Sequence, residues 1–383
     1  MVKDLKEVLL DDFWIMPATP KYINKGVPYI TSKNIKNEKI DFSNVNYINI
    51  EDYERISKNR PILIDDILIS MIGTLGEVAV VKKSDGVFYG QNMFLVRLNK
   101  DKIYQRYFIN FFKSNIVKRQ LMRKQNKSTQ SYLKANHIES LKIPIPDIAE
   151  QKKIANKLDK IQEIINIRKK QIEQLDELIK SQFVEMFKSE KNIEKLENVC
   201  QFINGDRGKN YPSASEFVDK GIPFINAGLI KEKKVDWNNM NYITENKYNK
   251  LGSGKIQKDD ILYCLRGSLG KHCIIDTDKR GAIASSLVIL RPKREKIEPI
   301  FLLIQLGMDE IIKQQNQANN GSSQPNLSAS SVKKYKIKLP DMVLQTKFVN
   351  IVKQINKQEF EIQKSIEETQ NLQKSLMDKC FGG

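Results

Sequence analysis

Cysteine is scarce and scattered in this chain. The four residues, Cys200, Cys264, Cys273 and Cys380, form no CxxC pair, and none has a counterpart in the other half of the chain. That excludes a disulfide framework, and reduced thiols fit a cytosolic compartment. A metal site on Cys264, His272 and Cys273 is not expected either, because Ser70, Val78 and Ala79 stand at the matching places. No apolar stretch approaches the roughly 18 residues of a membrane span. Met1 leads into Lys3, Asp4, Lys6 and Glu7, not into a signal peptide, so a soluble, cytoplasmic protein with no membrane partner is expected. Also missing are a glycine-rich loop after a strand and an Asn-Pro-Pro-aromatic segment, which argues against nucleotide binding and adenine methylation in this chain. No catalytic and no metal-binding residues are expected.

What is abundant is positive charge. Lys and Arg number 64 against 46 Asp and Glu, a formal charge of +18. A polyanionic partner, with nucleic acid the first choice, follows from that balance. The plain alternative is a Lys- and Asn-rich composition that only keeps the protein dissolved. The 383 residues suffice for two domains with proper cores.

The chain repeats itself at half its length. Gly26-Val27-Pro28-Tyr29-Ile30 returns as Gly221-Ile222-Pro223-Phe224-Ile225, and Asn46-Tyr47-Ile48 as Asn241-Tyr242-Ile243, each 195 positions later. After a one-residue slip, Asp65-Asp66-Ile67-Leu68 matches Asp259-Asp260-Ile261-Leu262, Gly73-Thr74-Leu75-Gly76 matches Gly267-Ser268-Leu269-Gly270, and Pro146-Asp147 matches Pro340-Asp341. A period this long means two copies of a whole domain plus helix, not a solenoid.

Each copy reads as an α+β domain. Strands are expected at Val27 to Thr31, Ile62 to Ile64, Ile67 to Ile72, Val78 to Val81 and Met93 to Leu98, followed by one helix from Tyr104 to Met122 and a polar loop from Arg123 to Ser131. The second copy gives strands at Ile222 to Asn226, Ile261 to Leu265, Cys273 to Asp276 and Leu287 to Leu290, then a helix near Ile300 to Gln315 and a polar loop from Gln317 to Gln324. Each domain ends where Pro-Asp opens a long helix. Asp147 is a suitable N-cap, and Glu150 is expected to complete a capping box.

Apolar positions then step by four and three along Ile154, Leu158, Ile161, Ile165, Arg168, Ile172, Leu175, Ile179, Gln182 and Met186. The second copy runs Phe348, Val352, Ile355, Glu359, Ile362, Ile366, Thr369, Gln373, Leu376. Neither seam is expected to be buried by its own domain, so the two bury each other in an antiparallel coiled coil with pseudo-two-fold symmetry. An alignment with Arg168 against Glu359 also sets Ile172 against Ile355, Leu175 against Val352, Ile165 against Ile362 and position 187 against 340. A buried Arg-Glu pair would fix that register. Such a rod, roughly 57 Å long at 1.5 Å per residue, can space two reading heads along a duplex.

At Pro146-Asp147-Ile148-Ala149-Glu150-Gln151-Lys152-Lys153-Ile154-Ala155, with its weaker echo from Pro340 to Val349, the chain resembles the specificity subunit of type I restriction-modification systems. The Gly-x-Pro-aromatic-Ile strand and the polar loops ending Gln130 to Leu133 and Gln324 to Leu327 add to the resemblance, which covers the whole chain. It implies target recognition domains at 1–145 and 191–339, helical spacers at 146–190 and 340–383, and recognition of a bipartite asymmetric site on double-stranded DNA. It also implies two modification (methyltransferase) subunits and ATP-dependent restriction subunits as partners, with S-adenosylmethionine, ATP and Mg bound there and no cofactor in this chain. One departure is that the first domain begins almost at Met1. Another is about four extra residues around Asp206 to Ser215 in the second domain.

Candidate DNA contacts are polar residues in loops, since amides and hydroxyls read base edges and cations meet phosphate. The best are Asn126, Lys127, Ser128 and Gln130, and their counterparts Ser322, Ser323 and Gln324. Next come Ser32, Lys33 and Asn34 after the shared strand, Asn226 in the second copy, Arg207 and Lys209 in the insertion, and Arg266 and Lys271 beside the Gly267 to Gly270 turn. Solvated connectors and plain tight turns are the bland readings of the same segments. Pro146-Asp147 with Glu150 and Lys152 superficially matches a nuclease signature, but a capped helix start explains those residues, and Leu344 and Thr346 replace the last two in the second copy. Outside restriction-modification, the alternative is a coiled-coil scaffold or another nucleic-acid-binding protein. Lack of aromatic-rich strands disfavours RNA.

Overall fold

The computed structural model describes the chain apart from residues 18–19, 72–75, 125–133, 232, 319–325 and 383 and the side chain of Lys124. It divides into two compact units, Met1–Lys170 with Gln363–Gly383, and Gln171–Ile362. Both long helices, Ile148–Phe187 and Met342–Phe381, therefore contribute one part to each unit.

In the first unit a four-stranded antiparallel sheet runs in the order Leu9–Ile15, Met93–Leu98, Ile67–Ser70, Val78–Val80. The second unit repeats it as Cys200–Asn204, Leu287–Pro292, Ile261–Cys264, His272–Ile274. The central strands are mostly apolar because both faces are covered. Phe94, Val96 and Leu98 point into a helical core with Ile103, Tyr107, Phe108 and Leu158, while Met93 and Leu95 join a second core with Tyr29, Ile30 and Phe88. Val288 and Leu290 against Leu287 and Ile289 divide in the same way in the second unit. Behind the second core lies a small sheet in which Val27–Thr31 pairs antiparallel with Asn46–Ile48 and parallel with Tyr89–Gln91. Its counterpart gains an edge strand, Phe217–Val218, directly after the insertion.

Three polar devices recur in both units and hold this frame. Asp66, 1 % exposed, takes a bidentate pair from Arg97 (2.8 Å each) and the Leu63 N–H, and Asp260 does the same with Arg291 and Gln257. The Gln120 amide exchanges two hydrogen bonds with the backbone of Lys142, as Gln314 does with Lys336. Gln151, fully buried, donates to the carbonyls of Lys102 and Pro146 and accepts from Tyr104 N–H; Gln345 donates to Lys296 and Pro340 and accepts from Glu298 N–H. Each glutamine thereby ties a long helix to the segment before a core helix.

Several expectations need correction. Ile62 to Ile64 form no strand: Asp65 adopts a left-handed φ of 72° and the Asp66 carboxylate captures Leu63, which makes a turn. The Tyr104 to Met122 helix is two, Gln105–Lys113 and Asn115–Lys124, broken at extended Ser114, whose hydroxyl accepts from Val117 N–H. Pro299–Leu306 and Asp309–Ala318 show the same break. Asp147 does cap its helix through Glu150 N–H (2.8 Å), but the Glu150 carboxylate pairs with Lys153 and does not reach back.

All ten named positions of the first seam and all nine of the second are shielded from full exposure. Ala155 and Leu158 nevertheless lie in the first unit's core, and Phe348, Val349, Val352 and Ile355 in the second's, so the helix starts are buried by their own domains. The alignment differs too. Arg168 donates to the Ser365 carbonyl (3.0 Å) and the Thr369 hydroxyl, and Gln373 to Gln162 (3.2 Å), an antiparallel pairing about one heptad away from the expected one. Phe187, expected opposite position 340, packs on Phe348. No ion pair joins Arg168 to Glu359 among the described residues, because carbonyl and hydroxyl acceptors satisfy the guanidinium without a buried carboxylate.

A carboxylate network pins the hairpin at Glu38 in the first unit. Arg106 bridges Glu38 and Asp159 of the long helix, with Lys113 on Glu38 and Asn110 on Asp159. Burial alone would raise both carboxyls, but the hydrogen bonds from Lys113 and Arg106, and for Asp159 from Arg106 and Asn110, outweigh it and hold both below the ordinary carboxylate range. A depressed folded value stabilises the native state above the unfolded value and is lost as pH falls through the folded one. The melting temperature should therefore drop as pH falls from about 5 to about 2, and less steeply in a Glu38→Gln, Asp159→Asn double variant. Parallel melting curves would remove the network from the account.

Candidate nucleic-acid interface

In the second unit four segments meet at one surface. The end of the loop preceding Asn326 is fixed by a bridge between Asn326 and Arg266 and by the Leu327 N–H on the Leu265 carbonyl (2.9 Å). Leu265 N–H in turn donates to the Ser286 carbonyl (2.8 Å), and Arg207 reaches the Ser285 carbonyl (3.3 Å). Buried Cys264 stays a thiol, its pKa pushed up by burial, and donates to the Arg266 carbonyl.

The Gly267 to Gly270 turn is clamped from the helix Asp309–Ala318. Gln315 donates to the Leu269 carbonyl and accepts from the Tyr263 hydroxyl (both 3.2 Å). A Cβ on Gly270 would come within 1.7 Å of the Gln315 side-chain oxygen and displace that clamp, and its φ of 72° strains any side chain, so glycine is favoured there. Asp206 organises the insertion: its carboxylate accepts from Gly208 and Gly252 N–H (2.8 Å each), which hold its pKa below the ordinary value. That leaves Arg207, Lys209 and Arg266 exposed and Lys271 half-buried, a cationic rim suited to phosphate.

The first unit builds the corresponding place differently. Ser32 and Asn34 are buried, and their polar atoms are used inside the unit: the Ser32 hydroxyl donates to the Asn92 carbonyl, and Asn34 donates to Asp41 and Asn44 carbonyls while accepting from Thr31 N–H. Between them Lys33 is exposed. Asn226, matching Thr31, caps a short turn through Gly228 N–H (2.9 Å) and is half-buried. Asn126, Lys127, Ser128 and Gln130, with Ser322, Ser323 and Gln324, lie outside the described residues. His137 sits in the short helix Ala135–Glu139, and buried His272 is held between the Gly270 and Leu303 carbonyls. Sequence reasoning missed the structural roles of Asp66, Gln120 and Gln151, although each recurs at the 194-residue offset.

The sequence profile of the family described as "Type I restriction modification DNA specificity domain" matches residues 3–177 and again 188–370. The type I restriction enzyme EcoBI specificity subunit of Escherichia coli is 22% identical over 351 residues, covering 83% of this chain and 73% of that protein. The MjaVIII specificity subunit of Methanocaldococcus jannaschii is 25% identical over 354 residues, covering 85% and 80%. Among solved structures, a chain described under complex assembly and conformational transition of the type I R-M system shares the fold at a TM-score of 0.60 and 17% identity, over 99% of this chain and 97% of that one.

Proposed function

This chain belongs to the family of type I restriction-modification DNA specificity domains, and from that premise we propose that each unit reads one half of a bipartite, asymmetric site on double-stranded DNA. One observation carries the reading: the two units share their frame and differ at its polar surface. Asp66 and Asp260, Arg97 and Arg291, Gln120 and Gln314, Gln151 and Gln345 are identical at the repeat offset and make the same bonds. At the surface, by contrast, exposed Lys33 is matched in sequence by exposed Gly228, and Arg207 and Lys209 belong to the second unit's insertion. A duplicated scaffold with unlike surfaces suits a target with two unlike halves.

The contact residues in this proposal are Lys33, Arg207, Lys209, Arg266 and Lys271, with the loops containing Asn126 to Gln130 and Ser322 to Gln324. Methylation and cleavage reside in partner subunits, which bind S-adenosylmethionine, ATP and Mg. The outward positions Lys169, Lys170, Glu173, Gln174 and Glu177 are all exposed and offer docking surface to two modification subunits. The long helices act as spacers between the reading heads, and the recognition domains proper are 1–145 and 191–339. Mapping methylated adenines across the host genome tests this. Deleting the gene should abolish methylation at one interrupted motif, and unchanged methylation would refute the proposal.

A further inference from the structure

We infer that Gln91 and Asn92, at the sharp junction between the strands Tyr89–Gln91 and Met93–Leu98 of the first unit, and their counterparts Ser285 and Ser286 in the second make direct base contacts, with the Asn92 amide reading an adenine. The inference rests on the proposed DNA-reading role and deepens it.

The junction is the point where segments of each reading head converge. Gln91 pairs in parallel with Thr31, at the end of the shared strand. The carbonyl of Asn92 then accepts from the Ser32 hydroxyl and from Met71 N–H (3.3 Å). Met71 lies two residues before Gly73 in sequence, and Ser32 directly precedes exposed Lys33. In the second unit, Ser286 accepts from Leu265, which also receives the end of the polar loop through Leu327, and Ser285 accepts from Arg207. The same position therefore joins the end of the shared strand and the segment before Gly73 in the first unit, and the insertion, the Leu265–Arg266 segment and Leu327 in the second.

Its backbone is fixed and its side chains are spared. Asn92 is held at a φ of 63°, a left-handed conformation that glycine, asparagine and aspartate tolerate best. Ser32 and Asn34 use their polar groups within the fold, whereas Gln91, Asn92, Ser285 and Ser286 are half-exposed and, among the described residues, hold the frame through backbone atoms only. A rigid backbone bearing an uncommitted amide is what bidentate recognition of adenine N6 and N7 needs, and a serine hydroxyl can serve more than one base. The unlike pairs, Gln-Asn with Asn92 left-handed and Ser-Ser without a left-handed residue, occupy matching sequence positions and so give the halves different preferences.

The test uses the full chain co-expressed with its modification subunits, with the methylated motif mapped for each variant. Asn92→Asp preserves the shape and the left-handed backbone but replaces the donor by an acceptor, which suits cytosine N4. It should cut methylation at the original motif roughly 10- to 100-fold and shift one adenine of one half-site toward cytosine. Asn92→Gly, which keeps the backbone conformation, should make that position degenerate, and Ser286→Ala should alter only the other half-site. Co-purification and the melting temperature of Asn92→Gly should match the parent chain. An unchanged motif, or a rate loss spread evenly over all sites, would overturn the assignment while leaving the bipartite reading intact. A parent complex with no interrupted motif would overturn both.

Discussion

Replacing Phe381 by alanine is expected to destabilise the first unit by about 3–5 kcal/mol, although Phe381 lies at the far end of the chain from that unit's sheet. Phe381 is 2 % exposed and meets Tyr107 and Phe111 edge to face at centroid distances of 5.2 and 5.6 Å. Both partners come from the helix Gln105–Lys113, itself buried along most of its length. Truncation removes the transfer free energy of the ring, leaves a cavity that two fixed aromatics cannot fill, and forfeits the two aromatic contacts. For a unit of this size the melting temperature should fall on the order of 10 °C. The chain has two tryptophans, Trp14 in the first unit and Trp237 in the second, so Trp237→Phe leaves a reporter for the first and Trp14→Phe one for the second. The Trp14 transition should move and the Trp237 transition should move less. An unmoved Trp14 transition would mean that the first unit is complete without residues 363–383.

Gln151→Leu should be the next most damaging change, costing about 2–4 kcal/mol in the first unit, with Gln345→Leu doing the same in the second. Leucine fills nearly the same space, so the loss comes from polarity. Two carbonyls and one N–H that now bond to the buried amide would be left without partners. An unmade buried hydrogen bond costs more than a made one contributes, and three share one side chain here. Gln151→Glu separates this from packing: it retains an acceptor for Tyr104 N–H but sets acceptors against the carbonyls of Lys102 and Pro146, so it should be as destabilising as leucine. Chemical denaturation followed through Trp14 measures both variants, and a loss below about 1 kcal/mol would show that the amide is dispensable.

Much of the fold was legible because hydrophobic period and turn chemistry are local. Met93 to Leu98 and Val27 to Thr31 appear as strands with the expected ends, and every named seam position is shielded. What escaped depends on partners far away in sequence. Arg168 could satisfy its guanidinium with a carboxylate or with a carbonyl and a hydroxyl, and nothing in the heptad pattern distinguishes these, so the register was set about one heptad off. Ser114 breaks a helix whose apolar spacing continues through it. Ser32 and Asn34 look like surface polar residues in sequence, yet the fold turns both inward. The signal for the frame was present in identical polar residues at the repeat offset, because a duplicated surface diverges while a duplicated hydrogen-bond device must keep both ends.

Exchange of residues 1–145 for the corresponding segment of another specificity subunit, followed by mapping of methylated adenines, bears most directly on the claim that one frame carries two independent readers. One half of the interrupted motif should change to that of the donor while the other half stays as it was. A motif altered in both halves, or in neither, would contradict the claim.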